Sequence, residues 1–69
     1  MIGLKRAFQL YNLGRLSFSR KRYDDAVRHF TKSIEIFSVL GLNSRADEVR
    51  KDLYRVQVAR RFDPSQQRK

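Results

Sequence analysis

Apolar and small residues recur along this chain at helical spacing, in three runs separated by two short breaks. In the first run Ala7, Leu10, Tyr11, Gly14, Ser17 and Phe18 form a stripe, with Leu13 on its flank. Offsets of three and four put these positions on one face of an α-helix, predicted over about residues 4–19. Gly14 inside that helix costs about 1 kcal/mol relative to Ala, so a close helix crossing is expected there. The pattern breaks at Ser19-Arg20-Lys21-Arg22 and resumes with Tyr23, Ala26, Val27, Phe30, Ser33, Ile34 and Phe37. That broad face predicts a second helix over about 23–40, antiparallel to the first. Asp24 and Asp25 fall in its first turn, where the helix dipole favours carboxylates. Gly41 fits the left-handed position that ends many helices.

A third helix is predicted from Asn43 or Ser44, with Ser44-x-x-Asp47 resembling a capping box. Ala46, Val49, Leu53, Val56 and Ala59 make a narrow apolar seam suited to lying in a groove. Asp63-Pro64 should stop the helix, because the residue before proline resists helical geometry. The expected organisation is one all-α domain over 1–62, a helical hairpin plus a third helix in a three-helix bundle. Residues 63–69 are expected to be a polar, disordered tail.

Size and charge narrow the function. A 69-residue chain buries only about 60% of its unfolded surface, so it needs close packing, self-association or a partner. With no Cys there is no disulfide and no thiolate site, and the lone His29 cannot by itself hold zinc. The net charge of +9 points to acidic partners: an acidic protein segment, phospholipid head groups or nucleic acid. Met1-Ile2-Gly3-Leu4 is followed at once by Lys5-Arg6, unlike a signal peptide, and no apolar run is long enough to cross a bilayer. The expectation is a cytoplasmic, soluble protein without a cofactor.

The residues Leu13-Gly14, then Tyr23, Ala26 and Phe30, resemble in type and spacing the tetratricopeptide repeat, a helix-turn-helix unit of adaptor proteins. Leu10 stands where that repeat usually has Trp, Lys21 where Gly is common, and Ser33 where Ala is usual. The resemblance covers about residues 7–40 and implies a peptide-binding hairpin, with helix three as a terminal cap. Tyr23, Ala26 and Phe30 also resemble the spacing in three-helix domains of the microtubule-interacting-and-trafficking type. Tetratricopeptide proteins that hold chaperone tails use a Lys/Asn clamp, and Tyr11 and Arg15 occupy the corresponding places here. That clamp is therefore absent as such.

Catalysis finds little footing. Asp24-Asp25 and Asp47-Glu48 are explained by helix starts, no serine has a nucleophile context, and Gly3, Gly14 and Gly41 are isolated from one another. The expected activity is non-enzymatic binding of an acidic peptide or helix, at Tyr11, Arg15, Arg50, Tyr54 and Arg55. The alternatives are self-association through Phe8, Phe18 and Phe62, or salt-sensitive contact with a nucleic-acid backbone.

Overall fold

A computed structural model describes residues 2–63. It contains α1 (Ile2–Ser19), α2 (Tyr23–Val39) and α3 (Asn43–Phe62), and no strand among the described residues. The middle helix is the shared wall: α1 packs on one side of α2 and α3 on another, with little direct backbone approach between α1 and α3. The all-α hairpin with a third helix is the architecture expected from the periodicity.

Both corners use one turn. After α1, the Lys21 N–H donates to the Phe18 carbonyl at 2.9 Å and the Arg22 N–H to the Ser17 carbonyl at 2.8 Å. After α2, the Gly41 N–H donates to Ser38 at 3.0 Å and the Leu42 N–H to Phe37 at 2.9 Å. These paired bonds satisfy carbonyls that a helix end leaves open and require one left-handed residue. Gly41 takes that role at φ 77, and Lys21 takes it at φ 60 with a full side chain. Each corner then starts the next helix alike, with Ala26 N–H bonded to Arg22 and Ala46 N–H to Leu42, both at 3.0 Å.

This turn corrects the expected capping box. The left-handed Gly41 makes Leu42 the N-cap residue, and no side chain caps α3 there. Ser44 is consequently already inside the first turn. The register is set by the turn and not by a serine side chain.

Small residues sit where the helices meet. Ala7, Ala26 and Ala46 are fully buried, and Phe30, Phe37 and Val56 fill the space between. Gly14 is where the Phe30 ring lies against α1: a Cβ built there would stand 2.6 Å from two ring carbons. The close approach expected at Gly14 is thus made by an aromatic side chain of α2. Ser33, also fully buried, donates its hydroxyl to the Ala7 carbonyl at 2.8 Å. A carbonyl oxygen has two lone pairs, so this bond satisfies a polar group that would be costly if left alone.

Asp63 does not behave as the start of a free tail. It is half-buried, ends α3 in an extended conformation, and accepts the Tyr23 phenol proton at 2.6 Å. Residues 64–69 of the expected tail lie outside the described residues.

Candidate interaction surfaces

The side chains proposed from sequence fall on two separate surfaces. Tyr11 and Arg15 are one turn apart on α1, and Asp52 and Arg55 nearly one turn apart on α3. They face one another across Phe30 of α2, lining a cleft of about 430 Å³ together with Phe18 and Ser19. The Tyr11 hydroxyl donates to Asp52 Oδ2 at 2.6 Å, and the Arg55 guanidinium meets Asp52 Oδ1 at 3.2 Å. The Arg15 guanidinium lies 5.8 Å from the centre of the Tyr11 ring. That ring in turn leans on Phe30 with centroids 5.7 Å apart.

The electrostatics follow from this arrangement. The hydrogen bond to Asp52 is the largest influence raising the Tyr11 phenol above its ordinary 10.0; burial and the carboxylate charge add to it, while Arg15 acts in the opposite direction. Tyr11 therefore keeps its own proton and donates it in the hydrogen bond to the Asp52 carboxylate. The cleft offers one acid already engaged by a phenol and an arginine. It also offers two guanidiniums whose side chains reach water.

Arg50 and Tyr54 lie elsewhere. Arg50 pairs with Asp47 at 2.8 Å, and Tyr54 is 67% exposed on the side of α3 away from the cleft. Tyr54, Val58 and Phe62 follow at intervals of four, with Phe62 70% exposed. Of the three phenylalanines suggested as oligomer contacts, Phe62 is thus the most open, and Phe8 is 38% exposed. Phe18 is half-buried against Tyr23, with rings 5.9 Å apart. Phe8 packs edge-on to Phe37 at 5.2 Å, and the Arg45 guanidinium sits 5.7 Å from its ring centre.

Sequence reasoning missed Asp52 as a cleft residue. Its partner lies 41 positions away, a relation no local pattern encodes. One signal existed: a tyrosine on a core-facing stripe needs an acceptor for its hydroxyl. The same rule governs Tyr23, whose acceptor Asp63 is 40 positions away. Arg60 adds a contact with Asp24 at 3.1 Å, so the start of α2 and the end of α3 are joined twice.

No family model, curated protein or solved structure matches this chain. Among the described residues no helix is long and apolar enough to cross a membrane, and no group of three metal-ligating side chains is gathered.

Proposed function

We propose that this protein is a non-enzymatic interaction module that holds an acidic peptide or helix in the cleft between α1 and α3. One observation carries the reading: Arg15 and Arg55, from different helices, flank a cleft walled by the half-buried rings of Tyr11 and Phe18, with Phe30 buried beneath them. An acidic side chain of the guest meets the guanidiniums at the rim, and an apolar neighbour settles against the half-buried rings of Tyr11 and Phe18. Asp52 selects against guests that present an acid to the cleft centre, because that carboxylate is already negative. The resemblance of Leu13-Gly14, Tyr23, Ala26 and Phe30 to tetratricopeptide hairpins supports the same reading, as does the net charge of +9.

The test is fluorescence anisotropy with labelled peptides that alternate Glu and Leu, against scrambled Lys and Leu controls. Binding of the acidic set should weaken about tenfold in Arg15→Gln and again in Arg55→Gln. Arg50→Gln, on the other surface, should leave it unchanged. Equal affinity in the Arg15→Gln, Arg55→Gln double variant would remove the cleft from consideration.

The exposure of Tyr54 and Phe62 favours a second reading, in which α3 is a contact between copies of the chain. Light scattering decides it: Phe62→Ser should lower the solution mass if that contact exists.

A further inference from the structure

The first helix has a second face that the cleft does not use. Leu13 and Leu16 are 41% and 46% exposed, side by side on the surface of α1 turned away from α2, with Arg6, Gln9 and Asn12 around them. Arg15 and Tyr11 point into the cleft from a different side of the same helix. Residues 1–23 contain no acid at all, and their cations are Lys5, Arg6, Arg15, Arg20, Lys21 and Arg22. The ion pairs of the described residues lie on α2, α3 and the first turn; Lys5, Arg6, Arg20 and Lys21 take part in none.

We infer that this outer face of α1 is a docking surface for an anionic phospholipid bilayer, with Leu13 and Leu16 entering the headgroup layer and the cations at both ends of the helix resting on lipid phosphates. Three observations favour a lipid surface over other acidic partners. First, the face is a single convex helix with no second helix beside it, so it lacks the walls that hold a peptide. Second, Arg6 and Arg20 are separated by roughly 20 Å of helix axis, beyond the screening length at physiological salt, so a partner that engages both must present separate negative charges. An extended anionic plane supplies that; one carboxylate does not. Third, the exposed leucines lie between the cationic ends, where a phosphate backbone gives them nothing apolar to enter and a headgroup layer does.

A second copy is disfavoured by charge. Antiparallel pairing of two such faces brings Arg6 of one against Arg20 of the other, with no acid on α1 to relieve it. The outer face of α3 differs: its aromatic residues share the helix with Asp47, Glu48 and Asp52, each paired to an arginine.

The experiment is co-flotation of the whole chain with phosphatidylcholine vesicles, pure or with about one quarter phosphatidylserine, at low and moderate salt. The protein should float with the anionic vesicles only, and less as salt rises. Leu13→Ser with Leu16→Ser should weaken binding about tenfold, and Arg6→Gln with Arg20→Gln by at least as much. Val39→Ser, at a valine 86% exposed on α2, should float like the parent. All these positions are exposed, so unchanged helicity by circular dichroism confirms that the fold is intact. Equal flotation with neutral vesicles, or full binding by the leucine variant, would overturn the proposal. So would duplex DNA binding that survives loss of both leucines while vesicles are ignored. A fall in solution mass in the leucine variant without flotation of the parent would reassign the face to self-association. Because Arg15 and Arg55 are untouched, peptide binding in the cleft stands or falls independently.

Discussion

The phenol of Tyr11 and the carboxylate of Asp52, 41 positions apart, close the open side of the bundle with a hydrogen bond of 2.6 Å. Helices α1 and α3 barely touch through their backbones, so this bond is a principal direct tie between them. Removing the hydroxyl in Tyr11→Phe should cost about 1 kcal/mol, because a partly exposed bond to a charged acceptor is worth less than a buried one. For a domain this small that lowers Tm by about 4–8 °C. Asp52→Asn should cost less than the tyrosine change if Arg55 is the weaker partner. Thermal unfolding of both singles and the double variant yields the coupling energy directly.

Alkaline pH should loosen the same brace. Tyr11 and Tyr23 both have phenol pKa values raised above 10.0 in the fold, chiefly by hydrogen bonds to Asp52 and Asp63. A group whose pKa is raised on folding contributes stability that is fully present below its unfolded value. That contribution disappears as pH climbs through the folded value. Urea midpoints should therefore hold up to about pH 9 and decline above about pH 10. Tyr11→Phe should show a smaller decline, and a decline of undiminished size would mean that Tyr11 does not contribute.

Gly14 tests the crossing. Alanine is the better helix former by about 1 kcal/mol, so an uncrowded site would gain from Gly14→Ala. Here the new methyl meets the flank of the buried Phe30 ring at 2.6 Å, and overpacking of this kind costs about 1–3 kcal/mol. The net outcome should be a loss, read from chemical denaturation. Any gain would show that the ring yields freely.

The two corners predict opposite signs for opposite exchanges. Lys21 holds φ 60 with a side chain, so Lys21→Gly should stabilise by about 0.5–1 kcal/mol. Gly41→Ala should destabilise by about 1 kcal/mol at φ 77, even though no atom lies near the added carbon. Comparing the two in one denaturation series isolates backbone conformation from packing.

Much of this fold was legible because periodicity is local. The stripes on all three helices lie on core faces, and the second helix begins at Tyr23 as its apolar run indicated. The glycine in the second turn advertised its corner. At Lys21 composition gave no such sign, and only the break in the apolar pattern and the place where the resembled repeat commonly has Gly marked that corner. Ser44 misled, since serine near a helix start is a cap only when the turn before it leaves the first N–H groups in reach. The site was half legible: cationic residues were visible, but their grouping depended on which sides of α1 and α3 meet above Phe30. That relation joins distant segments and separates Arg15 and Arg55 from Arg50 and Tyr54.

The hydroxyl of Ser33 sits in a dry interior on the Ala7 carbonyl, and this has a consequence for how the hairpin breathes. Sliding α1 along α2 by part of a turn would pull the Ala7 carbonyl away from the hydroxyl and carry Gly14 off the Phe30 ring, so intermediate registers are penalised and the pair behaves as a ratchet. Opening is then all-or-none for α1. Amide hydrogens near Ala7 and those near Gly14 should exchange with solvent in step, as one unit lifting away.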